Sequence, residues 1–172
     1  MKKTKFFMLA AASLFAFTAC NNKTEGGQAG SDSAAVENQA EEAATEVTVG
    51  TEGPCTAACA KFSVEVPAGW KVLKLEEEEI RIGLGDDHTK DAQVGISARF
   101  NKWETAVENQ GKHSEQLGEK SFGDNTFVTF QDDSHFVAFM KVDDMHFLGA
   151  NTWNVAADDA TLATILTSVK VK

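Results

Sequence analysis

Phe136-Val-Ala-Phe-Met-Lys-Val142 restricts the fold more than any other segment of the chain. Read as a strand, it sends Phe136, Ala138, Met140 and Val142 to one side and Val137 and Phe139 to the other. A strand with one wet face alternates apolar and polar residues. This one is apolar on both faces, so both faces of its sheet must be covered.

The neighbouring sequence supplies more strands and two candidate covers. Phe62–Val66 alternates, Pro67-Ala-Gly69 turns the chain, and 70–75 returns, which predicts a hairpin. Strands are predicted at 79–84 and 92–100. In segment 102–110, Trp103, Ala106, Val107 and Gln110 fall at helical spacing, with Asn101 as N-cap and Gly111 as the stop. A meander follows at 116–122, 126–131, 135–142 and 145–152, punctuated by Gly123-Asp-Asn125, Asp132-Asp-Ser134 and Asp143-Asp144. Asp158 is expected to cap a second helix running to Thr167, and 169–171 to add an edge strand. The expected fold class is α+β: an antiparallel sheet covered by helices on both faces.

The opening Phe62-Ser-Val-Glu-Val-Pro-Ala-Gly-Trp70 and the close Ala160-Thr-Leu-Ala-Thr-Ile-Leu-Thr-Ser-Val-Lys170 resemble the first hairpin and the last helix and strand of PsbP-like domains. That resemblance implies a helix-covered sandwich and a non-catalytic binding domain, and it carries no site residues. A lipocalin-like β-barrel is the alternative, since eight strands and a late helix suit one. The helical segment in mid-domain counts against it.

The N-terminus has a different character. Lys2, Lys3 and Lys5 precede an apolar run, Phe6 to Phe17, then Thr18, Ala19 and Cys20. The run is shorter than the roughly 20 residues a spanning helix needs, and the layout is that of a secretory signal. It resembles the lipobox of bacterial lipoproteins, which implies cleavage after residue 19 and acylation of Cys20. Two or three acyl chains anchor stably where one does so only marginally. The expected location is the bacterial cell envelope, most simply the outer membrane facing the periplasm, with the lipid anchor as membrane partner.

Residues 20–54 read as an acidic linker. After Cys20, seven acids face the single base Lys23, and only Val36, Val47 and Val49 are sizeable apolar side chains. Such a composition cannot offset its ordering entropy. The domain is expected over 55–172, where 19 acids against 12 bases leave no basic patch for nucleic acid.

Outside the cytoplasm Cys55 and Cys59 are expected to form a disulfide, local and weakly stabilising because its loop is so short. Free thiols are the alternative. Three intervening residues do not make a redox motif.

Three of the four histidines follow aspartate pairs: Asp86-Asp87-His88, Asp132-Asp133-Ser134-His135 and Asp143-Asp144-Met145-His146. Carboxylates with imidazole could ligate a divalent cation. A two-residue turn at Asp143-Asp144, however, sets Lys141 opposite His146 and places His135 roughly 20 Å away. The aspartates are therefore read as turn-formers. Glu76–Glu79 reads as a solvated hairpin loop, and Trp70, Trp103 and Trp153 as core before pocket. No nucleophile arrangement or phosphate loop is recognisable, so no catalytic, cofactor or metal residue is assigned. The expected function is that of a lipid-anchored, non-enzymatic envelope lipoprotein binding a protein partner. The alternative is a carrier of a small apolar ligand or metal ion.

Overall fold

The computed structural model describes residues 46–133, 135–153, 155 and 159–172. Cys20, Asp158 and the linker before residue 46 lie outside the described residues. Among the described residues ten strands and two helices follow one another as β1 (Cys55–Ala58), β2 (Phe62–Val66), β3 (Lys71–Leu75), β4 (Glu79–Gly83), β5 (Ala92–Phe100), α1 (Trp103–Gly111), β6 (Glu115–Phe122), β7 (Asn125–Gln131), β8 (Phe136–Lys141), β9 (His146–Thr152), α2 (Ala160–Ser168) and β10 (Lys170–Val171).

The strands build two antiparallel sheets. One has three strands in the order β1-β2-β10, the other seven in the order β3-β4-β5-β9-β8-β7-β6. The protein is mostly β, and this corrects the expected α+β sandwich with helices on both faces. Inward-phase residues of the large sheet, among them Val72, Ile80, Ile82, Val94, Ile96, Ala138 and Leu148, meet Phe62, Val64 and Val66 of β2. A second sheet, with α2 beside it, is therefore what covers this face. The alternative, a lipocalin-like barrel, is not formed either: β3 and β6 stand at opposite edges and the sheet stays open.

The reason lies in pairing. Phe62–Val66 and Lys71–Leu75 were expected to form one hairpin, yet β2 pairs with β1 and β10 while β3 pairs with β4. Pro67–Gly69 is a crossover between sheets, with Gly69 at φ +79° and the Trp70 N–H donating to the Pro67 carbonyl at 3.1 Å. The alternation of β2 and β3 is the same in either pairing, so pattern alone does not decide it. The hairpin that carried the resemblance to PsbP-like domains does not form.

The other face of the large sheet is aromatic. Phe130 and Phe147 are buried there; Phe139 lies 5.4 Å from Phe130 and 4.9 Å from Phe147, centroid to centroid. Trp103 of α1 meets Phe147 edge-on at 6.0 Å, and Ala106 is the buried residue of that helix. Offset and edge-on pairs of this kind add to simple burial. Asn101 is not the N-cap of α1. Lys102 occupies that position, and Asn101 only accepts from the Lys102 N–H at 2.8 Å.

α2 carries Leu162, Ile165 and Leu166, all fully buried, at helical spacing. Its N-cap is Asp159, whose carboxylate accepts the N–H groups of Thr161 (2.7 Å) and Leu162 (3.2 Å). At its other end the Asn125 side-chain amide donates to the carbonyls of Leu166, Thr167 and Val169 at 3.0, 3.2 and 2.9 Å. Gly123 makes this docking fit: its φ is +59°, and a Cβ there would lie 2.6 Å from the Thr167 methyl.

The described residues from Glu46 onward belong to one compact unit. Its first described residues, assigned to the linker by composition, lie on the domain. Val47 packs on the core, the Gly50 N–H donates to the Val72 carbonyl at 2.7 Å, and the Val72 N–H donates to the Thr51 carbonyl at 2.9 Å. At Gly53 a Cβ would fall 2.2 Å from the Pro67 carbonyl oxygen, so only glycine fits.

Candidate functional site

The histidines do not converge. His88 sits in the β4–β5 loop, and His135 and His146 flank opposite ends of the β8–β9 hairpin. Each aspartate pair shapes its own loop. Asp87 accepts the Thr89 N–H at 2.8 Å, Asp132 the His135 N–H at 2.7 Å, and Asp143 the N–H groups of Met145 and His146 at 2.7 and 2.8 Å. The Met145 N–H first, and then the His146 ring, hold the Asp143 carboxyl below its ordinary range. Asp143 thereby draws a four-residue loop, 142–145, instead of the expected two-residue turn. Lys141 pairs with Phe147, not with His146, a shift of one position. Among the described residues no three His, Cys, Asp or Glu side chains are grouped to hold a metal ion.

Cys55 and Cys59 are free thiols, which corrects the expected disulfide. β1 holds the segment extended, so four residues of rise separate their Cα atoms by about 13 Å, beyond the roughly 7 Å limit for a bridge. Burial, and then the nearby Glu65, push the Cys55 thiol up, which makes it a poor nucleophile. Cys59 is part of the core.

Glu76–Glu79 forms the β3–β4 turn, closed by the Glu76 N–H to the Glu79 carbonyl at 2.9 Å. Burial raises the Glu79 carboxyl, but hydrogen bonds from Lys74 and Arg81 outweigh it and leave it below the ordinary range. The tryptophans also separate. Trp70 is in the core, Trp103 is on α1, and the Trp153 ring covers Gly95 with the Arg81 guanidinium carbon 5.9 Å from its centroid.

What the fold does assemble is a cleft of about 400 Å³ where β5 ends and β9 begins. Phe100 and Val142 form its mouth and Leu148 its floor, while Lys61, Val171 and Lys172 close it from the small sheet. Phe100 is 72% exposed, and its ring lies 5.1 Å from that of His146. The Asn101 N–H donates to the Met145 carbonyl and the Trp103 N–H to the Asp144 carbonyl, both at 2.9 Å, tying the end of β5 to the β8–β9 loop. The Ala60 N–H donates to the Glu77 carbonyl at 3.1 Å, joining the β1–β2 loop to the β3–β4 turn along one side. Val142 and Val171 are also exposed at the mouth.

Sequence reading treated Phe100 as a strand end. The available signal was phase: Val94, Ile96 and Ala98 face the core, and Phe100 continues that series where the strand has run out of cover.

No family model and no curated protein matches the chain. A crystal structure from Bacteroides thetaiotaomicron VPI-5482 is similar, with 11% identity and a TM-score of 0.44, over 67% of this chain and 47% of that one. The chain thus spans about half the length of that protein.

Proposed function

We propose that the chain is a lipid-anchored binding protein of a bacterial cell envelope that takes a small apolar ligand in the Phe100 cleft. The observation carrying this reading is a half-open cavity, floored by core residues and rimmed by an aromatic ring exposed to 72%. Its volume of about 400 Å³ lies within the roughly 300–1,000 Å³ of ligand sites. A protein partner, the other occupant expected from the sequence, calls for a face of about 800 Å² per side. The rim offers three exposed large apolar side chains, Phe100, Val142 and Val171. Binding is favoured over catalysis because His135 and His146 each engage an aspartate of their own loop and converge on no common centre.

Two measurements test the two halves. Intact mass of the processed polypeptide should show a start at Cys20 with added acyl mass, and Cys20→Ser should move the protein from the membrane to the soluble fraction. A start elsewhere, or no acyl mass, ends the anchoring half. Nile red, a neutral apolar dye, should brighten with the full chain and lose at least tenfold in affinity with Phe100→Asp. Unchanged dye binding by that variant ends the cleft half.

A further inference from the structure

The two walls of the cleft differ in chemistry. The large-sheet wall is apolar at Phe100, Val142 and Leu148; the small-sheet wall brings Lys61 and Lys172 beside Val171. These two lysines are held next to each other. The Lys172 N–H donates to the Lys61 carbonyl at 3.0 Å, and the Lys172 ammonium donates to the Cys59 carbonyl at 2.6 Å. The domain has an excess of acids, and its cations mostly find one: Lys71 with Asp86, Lys74 with Glu79, Lys112 with Glu108, Lys141 with Asp144. Among the described residues Lys61 and Lys172 pair with no carboxylate. Glu78, at the β3–β4 corner, is the one acidic side chain lining the cleft among the described residues. Arg99 touches the rim, but its guanidinium donates to Ser97 Oγ at 2.8 Å, and its register partner Phe147 belongs to the aromatic face. His146 is engaged by Asp143 at 2.9 Å.

An apolar wall facing a cationic one fits an amphiphile, and the sign of the charge fixes its head. Resting on the cleft reading above, we propose that the ligand is a single-chain amphiphile with an anionic head group. Its chain lies against Phe100, Val142 and Leu148, and its head against Lys61 and Lys172. A free amphiphile is favoured over an anionic bilayer because a net charge of −10 repels such a surface as a whole, whereas the Lys61 and Lys172 side chains, both lining the cleft, act on a head group held within it.

The experiment titrates the full chain with dodecanoate, dodecanol and dodecyltrimethylammonium, each below its micelle concentration, and reads displacement of bound Nile red. Dodecanoate is expected to displace the dye at least tenfold more tightly than dodecyltrimethylammonium, with dodecanol between. Lys61→Glu, an exposed substitution, should remove that preference, with the far-ultraviolet circular dichroism showing that the fold is kept. Phe100→Asp should weaken all three. Equal binding of the cationic and anionic probes overturns the proposal, as does a preference that survives Lys61→Glu. So does Phe100-dependent sedimentation with phosphatidylglycerol vesicles, which would make a bilayer the occupant. Failure of every probe to displace a Phe100-dependent dye signal refutes the amphiphile and leaves the cleft; absence of that dye signal refutes the cleft itself.

Discussion

Two borders of the same core are finished in opposite ways. Where α2 meets the β6–β7 turn, Leu162, Ile165 and Leu166 are fully buried, and the carbonyls at the helix end are gathered by Asn125. Where β5 meets β9, the inward series of side chains runs past its cover and leaves Phe100 in water. Both borders are made from apolar residues in the correct phase. The difference is whether a second element arrives to cover them. A sealed border contributes stability, and an open one leaves apolar area free for something outside the chain.

The widest separation should appear in truncation. Leu162→Ala is expected to cost roughly 2–5 kcal/mol in urea unfolding, whereas Phe100→Ala should stay within about 0.5 kcal/mol. A Phe100→Ala loss as large as that of Leu162→Ala would show that Phe100 is structural and abolish the contrast. Asn125→Ala comes next. It leaves the carbonyls of Leu166, Thr167 and Val169 without their donor and should cost roughly 1–3 kcal/mol, with faster amide exchange confined to the end of α2 and to β10. Exchange that rises equally near Phe100 would mean the borders are not independent.

The smallest effect is acidic. The Thr161 and Leu162 N–H groups hold the Asp159 carboxyl below its ordinary value. The Asp143 and Glu79 carboxyls are lowered as well. A carboxyl depressed in the folded state contributes stability above its unfolded pKa of about 4 and loses it as pH falls through the folded value. The urea midpoint should therefore be flat from neutrality to about pH 5 and decline below it, and Asp159→Asn should reduce that decline. A midpoint that rises on acidification would contradict the capping geometry of α2.

Most elements were legible because their signals are local. The alternation of Phe62–Val66 and 92–100, the breakers at Gly123-Asp-Asn125, and the apolar spacing in Ala160–Ser168 each depend on a few adjacent residues. Pairing was not legible. β2 finds β1 on one side and β10, more than a hundred residues away, on the other, and nothing within Phe62–Val66 encodes either partner. Cys55–Ala58 was missed as a strand because its residues are small and few, and that strand is what keeps Cys55 and Cys59 apart. Asn125 was read as a turn residue, which it is. Its longer-range role rests on the approach of α2. The cleft was hidden for the same reason: a phase series is visible in sequence, but the edge of its cover is a property of the fold.

Residues 50–53 lie along the outer side of the first half of β3, so that stretch of one margin of the seven-stranded sheet has no free ladder to offer. The other margin, β6, is broken in register around Gly118, which sits at φ +100°, and it carries Glu115, Glu119 and Lys120. A kinked, charged strand is a poor template for a neighbour. Copies brought together at high density would therefore meet without concatenating through the large sheet, and crowding need not seed fibrils by that route.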